Sequence, residues 1–161
     1  MKFIALAAAA LFATATPALA QDNAGFTGAR IEATAGYNDI IDNRDFNDVV
    51  YGVEAGVDVP VGDKFTLGVA ANTRNVFERN RQIGATARVG YAFNRDTLGY
   101  ALAGYNNYRS FERFDRDGLA VGGGIEHLIS DQTYVKAEYR YSDFDGRTGD
   151  SAVTAGIGLR F

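Results

Sequence analysis

Apolar residues recur at every second position through eight stretches of this chain. In 26–37 they are Ala29, Ile31, Ala33, Ala35 and Tyr37, with Arg30, Glu32, Thr34 and Gly36 between them. In 49–59, Val49, Tyr51, Val53, Ala55, Val57 and Val59 oppose Gly52, Glu54, Gly56 and Asp58. In 65–75, Phe65, Leu67, Val69 and Ala71 alternate with Thr66, Gly68, Asn72 and Arg74, and in 82–93 Ile83, Ala85, Ala87, Val89, Tyr91 and Phe93 alternate with Gln82, Gly84, Thr86, Arg88 and Gly90. The fifth stretch, 98–108, sets Leu98, Tyr100 and Leu102 as its apolar face against Gly99, Ala101, Ala103 and Tyr105. In 119–129, Leu119, Val121, Ile125 and Ile129 oppose Ala120, Gly122, Gly124 and Glu126; in 134–141, Val135, Ala137, Tyr139 and Tyr141 oppose Lys136, Glu138 and Arg140. The last stretch, 153–161, carries Val153, Ala155, Ile157, Leu159 and Phe161 on odd positions and small or polar residues between, with Arg160 before the final aromatic. A period of two predicts strands, and about ten residues is what a tilted strand needs to cross hydrocarbon.

The joints alternate in length. Residues 60–64, 94–97 and 130–133 are short and rich in turn formers, whereas 38–48, 76–81, 106–117 and 142–150 are longer and polar. Alternating short turns and long loops predicts an all-β fold: an eight-stranded antiparallel up-and-down transmembrane β-barrel with both termini on the short-turn side.

The alternation alone does not say which face is outside, since a soluble eight-stranded barrel turns its apolar face inward. Three features predict the membrane arrangement. The polar face is mostly Gly, Ala and Thr, which suit the crowded inside of a narrow barrel. The apolar face carries no charge, as expected where an Arg or Lys at mid-bilayer costs about 2–4 kcal/mol. Aromatics gather near strand ends (Tyr37, Phe65, Tyr91, Phe93, Tyr100, Tyr134, Tyr141, Phe161), where interfacial girdles sit. The charges on the small-residue face then become lumen groups: Arg30, Glu32, Glu54, Asp58, Arg74, Arg88, Glu126, Lys136, Glu138, Arg140 and Arg160. Five acids and six bases must pair, because an uncompensated buried charge costs several kcal/mol. Two pairings are expected from position: Glu126 with the 136–138 region across its turn, and Arg160 with Glu32 where the barrel closes.

The chain has 161 residues. Its start, Met1-Lys2, an apolar run and Ala18-Leu19-Ala20, reads as a secretory signal peptide spanning 1–20, leaving 21–161 as the barrel domain. With no cysteine, neither a lipid-modified cysteine nor a disulfide is available. The net charge of −4 and the lack of a basic cluster argue against a nucleic-acid partner. No His/Cys cluster suggests a transition metal, and no phosphate-binding glycine loop suggests a nucleotide, so no cofactor is expected. The single histidine, His127, falls on the lipid-facing side near a turn, where an interfacial role is expected rather than a catalytic one. The long joints carry mixed charge, among it Asp39, Asp42, Arg44, Asp45 and Asp48, then Glu78, Arg79 and Arg81, then Arg109, Glu112, Arg113, Asp115, Arg116 and Asp117. The segment Asp145-Gly146-Arg147-Thr148-Gly149-Asp150 lacks the spacing of an EF-hand.

The stretch Gly118-Leu119-Ala120-Val121-Gly122-Gly123-Gly124-Ile125-Glu126, the turn at Ser130-Asp131, and Val135-Lys136-Ala137-Glu138-Tyr139-Arg140-Tyr141-Ser142-Asp143-Phe144 resemble the last third of the opacity/OmpA-like outer-membrane β-barrel family, with Gly156 to Phe161 closing it. The resemblance implies insertion into the outer membrane of a Gram-negative bacterium, with lipopolysaccharide and outer-membrane lipid as surroundings. It also implies contact with periplasmic chaperones and the barrel assembly machinery, for which Ile157, Leu159 and Phe161 look like the recognition signal. A monomer is expected, and tethering to the cell wall is not. Function is expected to be structural and surface-interacting, with a lumen plugged by paired charges; the alternative is a narrow, porin-like channel for ions or small solutes. An enzyme is not expected.

Overall fold

The computed structural model describes residues 24–40, 47–76, 80–110, 115–144 and 148–161. The signal peptide predicted for 1–20, and with it the start of the barrel domain at 21, lies outside the described residues, as do most of the side chains counted among the loop charges. A short 3-10 turn, Ala24–Phe26, precedes eight strands: β1 Gly28–Ile40, β2 Asn47–Val61, β3 Phe65–Val76, β4 Asn80–Ala92, β5 Thr97–Ser110, β6 Asp115–Leu128, β7 Thr133–Phe144 and β8 Thr148–Arg160. Each pairs antiparallel with its sequence neighbours, and β8 pairs back onto β1, so the sheet closes with no free edge. Closure satisfies every strand's backbone ladder internally, the condition for crossing hydrocarbon with strands.

The eight expected strands are all present, but they run further than the apolar alternation at the long-joint end. The 106–117 stretch, expected as a loop, continues the β5–β6 ladder up to Arg109↔Asp115. Backbone pairing does not depend on apolar side chains, and the outward Asn107 side chain donates to Asp117 Oδ1 at 2.7 Å. At the other end the joints are tight. Gly62 adopts φ +67° in the β2–β3 turn, a left-handed conformation that glycine adopts without strain. The other two turns close by Phe93 N–H donating to Thr97 O and Ile129 N–H to Thr133 O, both at 2.9 Å.

Faces follow the alternation in seven strands. Ile31, Val53, Val69, Val89, Val121, Ile157 and their neighbours point outward and are exposed, while the intervening small and charged residues are buried. The fifth strand inverts the expectation. Its register, Leu98↔Glu126 and Tyr100↔Gly124, turns Leu98, Tyr100 and Leu102 into the lumen and Ala101, Ala103 and Tyr105 outward. The bulk is needed there because β6 contributes glycine: a Cβ at Gly124 would lie 2.6 Å from the Tyr100 hydroxyl. Tyr134 is likewise a lumen residue, with its ring against Gly158, so neither tyrosine belongs to the girdle assigned to it above.

Phe26, expected to begin the first strand, instead lies in the 3-10 turn folded beneath the barrel. Its ring is fully buried and packs with Ala92, Leu98, Tyr100, Leu102 and the half-buried Leu128. Gly28 makes the corner at φ +102°, where the chain passes close against the Phe161 carbonyl.

Candidate functional site: the charged lumen

All eleven charged residues assigned to the small-residue face are buried inside the barrel. They come from seven of the eight strands; β5 supplies Tyr100 instead of a charge. Near the turn end, two arginines clamp two carboxylates. Arg88 forks onto Asp58, with Nε–Oδ1 at 2.8 Å and Nη2–Oδ2 at 2.6 Å, and its Nη1 donates to Glu126 Oε1 at 2.5 Å. Arg160 reaches the same two acids, donating to Asp58 Oδ2 at 2.9 Å and Glu126 Oε2 at 2.5 Å. Bidentate guanidinium–carboxylate geometry of this kind gives the strongest protein hydrogen bonds. Arg160 Nη1 also donates to the Phe26 carbonyl at 2.7 Å, tying the 3-10 turn under the lumen.

Arg30 links this ring to the rest. Its three guanidinium nitrogens meet Asp58 at 3.1 Å, Glu54 at 2.7 Å and Glu32 at 3.0 Å. Glu32 pairs with Lys136, whose Nζ also lies 2.9 Å from Glu138. Glu138 collects Arg140 at 2.8 Å and Arg74 at 3.0 Å, and Arg140 lies 3.7 Å from Glu54. The eleven side chains thus form a single connected network.

Two tyrosines complete it. Tyr100 donates its hydroxyl to Glu138 at 2.8 Å and Tyr134 to Glu32 at 2.6 Å. Their rings face the cations, with the Arg88 guanidinium 5.0 Å from the Tyr100 centroid and that of Arg160 5.0 Å from Tyr134. Cation–π contact adds to the pairing where water is absent. Phe26, Tyr100 and Tyr134 were missing from the sequence-based set. Tyr134 was legible, because it shares its parity with Lys136 and Glu138; Tyr100 was hidden by the inverted fifth strand.

The partners also differ from the two pairings expected. Glu126 and Lys136 are Cα neighbours across β6–β7, yet Glu126 bonds Arg88 and Arg160 while Lys136 bonds Glu32 and Glu138. Arg160 stands beside Arg30 at the closing seam and takes Asp58 and Glu126, not Glu32. Long side chains in a narrow barrel reach across the lumen as easily as along its wall, so wall adjacency does not set the pairing.

A model of the outer membrane protein beta-barrel domain matches residues 5–161. The chain belongs to that family. This outer-membrane barrel is 29% identical over 120 residues to the 25 kDa outer-membrane immunogenic protein of Brucella ovis, covering 70% of this chain and 56% of that protein. The chain therefore spans little more than half the length of that curated relative. Among solved structures, neisserial surface protein A (NspA) superposes with a TM-score of 0.59 at 14% identity, over 83% of this chain and 97% of that one. The outer membrane enzyme PagL superposes with a TM-score of 0.57 at 10% identity, over 82% and 99%. Both likenesses show the fold. The barrel resides in the outer membrane of a Gram-negative bacterium, which sets its turn end toward the periplasm and its loop end outward.

In that frame, the exposed apolar residues form the lipid-facing band. Phe65, Tyr91, Phe93 and Phe161 mark its periplasmic rim, and Tyr37, Tyr51, Tyr105 and Tyr139 its outer part. Ile157, Leu159 and Phe161 project outward together from β8, with Phe161 the most exposed at 74%. His127 lies on the lipid-facing side of the wall, with Nδ1 3.1 Å from Thr97 Oγ1, and the nearby Ser130 hydroxyl accepts from Thr133 N–H at 3.1 Å. Among the described residues, no group of three or more His, Cys, Asp or Glu side chains is arranged to hold a metal ion.

Proposed function

We propose that the chain is a structural and surface-interaction protein of the outer membrane, a barrel whose lumen is closed and whose loops do the work outside. The single observation that carries this reading is the connected network of eleven lumen charges. A permeating ion needs either a water column or a charge free to exchange partners. Here the guanidinium and carboxylate groups already hold one another at hydrogen-bond distance, and Phe26 lies beneath them. An eight-stranded barrel is narrow enough for side chains to fill it. Reconstitution into planar bilayers tests the reading: only background current is expected across the physiological voltage range. A steady, reproducible single-channel step would replace it with the narrow-channel alternative.

A non-enzymatic role is supported by the surroundings of His127, which bonds Thr97 on the lipid side rather than a serine and a carboxylate. An unaltered lipid A profile in cells carrying His127→Ala is expected. The surface role draws support from the β5–β6 ladder, which continues beyond the apolar alternation, and from the words immunogenic and surface in the names of the two similar proteins. An epitope inserted at 111–114 should be reached by antibody on intact cells; labelling only after lysis would count against it. We also propose that Ile157, Leu159 and Phe161 are what the assembly machinery reads, with lipopolysaccharide and phospholipid as the folded barrel's surroundings, the chain acting as a monomer.

A further inference from the structure

The outward face of the barrel is not uniformly smooth. One row of cross-strand partners runs Phe65, Tyr91, Gly99, Ile125 across β3, β4, β5 and β6. Gly99 carries no side chain between a tyrosine and an isoleucine, the Phe93 ring covers it, and Ala101 keeps the wall low beside it toward the membrane interior. The result is a groove of about 420 Å³ lined by Phe65, Val89, Tyr91, Phe93, Ala101 and Ile125. Its aromatic wall is braced: Tyr91 meets Phe65 edge-on at 5.1 Å and Phe93 at 5.6 Å between ring centroids. Phe93 folds over the glycine, since a Cβ at Gly99 would lie 2.7 Å from its ring. The groove sits at the periplasmic rim of a face that belongs to hydrocarbon, so its occupant is apolar. At its mouth stands a cation, with Lys64 Nζ 6.0 Å from the Tyr91 centroid.

We propose that this groove seats one acyl chain of an anionic phospholipid from the periplasmic leaflet, with the headgroup phosphate held by Lys64. The charge at the mouth selects an anionic headgroup, the level in the membrane selects the inner leaflet, and the small Ala101 beside the Phe93-covered Gly99 leaves the wall low enough for a chain that a flush wall would leave to exchange freely. Basic side chains at a bilayer surface attract anionic lipid in the same way.

The test is native mass spectrometry of the purified full chain in detergent, titrated with dioleoyl phosphatidylglycerol or dioleoyl phosphatidylcholine. A boiling-dependent gel shift serves as the check that each variant is folded. The wild type should retain one phosphatidylglycerol per barrel, several-fold more than phosphatidylcholine. Lys64→Gln should bring the two lipids level, and Ala101→Phe, which fills the groove, should abolish retention of both. If Ala101→Phe fails to fold, Ile125→Ala removes a wall and carries the same expectation. Equal retention of the two lipids by the wild type, or undiminished retention after Ala101→Phe, overturns the proposal. A two-barrel species that Ala101→Phe removes would also overturn it, assigning the groove to a second copy of the chain.

Discussion

Asp58→Asn is the sharpest perturbation of the lumen. Asp58 is fully buried and meets three guanidinium groups: the Arg88 fork at 2.8 and 2.6 Å, Arg160 at 2.9 Å and Arg30 at 3.1 Å. Asparagine keeps the shape and one acceptor oxygen but removes the charge and points an amide at a cation. Arg88 and Arg160 are then left to share Glu126, and Arg30 keeps Glu32 and Glu54. Removing one partner of a buried pair costs about 3–5 kcal/mol, most of it from the charge left uncompensated. The retained oxygen and packing place the expected loss near the lower figure, about 3 kcal/mol. The assay is urea unfolding in lipid vesicles, followed by circular dichroism and by the fraction that migrates as folded on an unboiled gel; the chain has no tryptophan to report otherwise. Glu54→Gln is the internal comparison, since Glu54 accepts one close bond, from Arg30 at 2.7 Å, and a 3.7 Å contact from Arg140. It should cost less, about 1.5–3 kcal/mol. Asp58→Asn combined with Arg88→Gln should cost less than the sum of the single changes, because the second substitution removes a charge that the first one stranded. A cost for Asp58→Asn below about 1 kcal/mol, or strict additivity in the double variant, would refute the view that these groups act as one network.

Three further outcomes follow from the placement of single side chains. Tyr100→Phe and Tyr134→Phe, each deleting a hydroxyl that donates to a buried carboxylate, should each destabilise the barrel by about 1.5–3 kcal/mol in the same urea assay. Val121→Arg on the lipid face should cost about 2–4 kcal/mol, whereas Val61→Arg beside a periplasmic turn should cost about 0–1 kcal/mol; equal costs would contradict the assigned faces and rim. Deleting Phe161 should lower the amount of folded protein in outer-membrane fractions while leaving refolding into detergent largely intact, measured by the unboiled gel shift in both settings.

Much of the wall was legible from the period of two, because a one-residue shift would move a whole strand's side chains to the wrong solvent. That constraint puts Val53 and Val121 on one face and Arg88 and Glu138 on the other, and the small, charge-bearing make-up of the second face then marks it as the inner one. It weakens where both parities carry apolar residues, as in β5: Leu98, Tyr100 and Leu102 look as greasy as any outward set, and only the register against Glu126 and Gly124 decides their side. It is silent on Phe26, whose position depends on a corner at Gly28 and on the Arg160 side chain donating to its carbonyl. It is silent too on who pairs with whom in the lumen. Arg160 and Glu126 belong to non-neighbouring strands, and contact between their side chains is a property of the closed cylinder rather than of any hairpin.

The seam between β1 and β8 therefore joins more than two backbones. Arg160 reaches Phe26 across 134 positions of chain and Asp58 across 102, and Tyr134 reaches Glu32 across another 102. Until the last strand meets the first, those three bonds cannot form, and an open curl of hairpins would carry the lumen charges toward lipid only partly paired, Glu32 and Asp58 holding Arg30 alone within the first hairpin. Closing the sheet consequently completes the pairing of its interior. A half-built barrel has no resting place in the bilayer, and insertion acquires a point past which it does not easily run backwards.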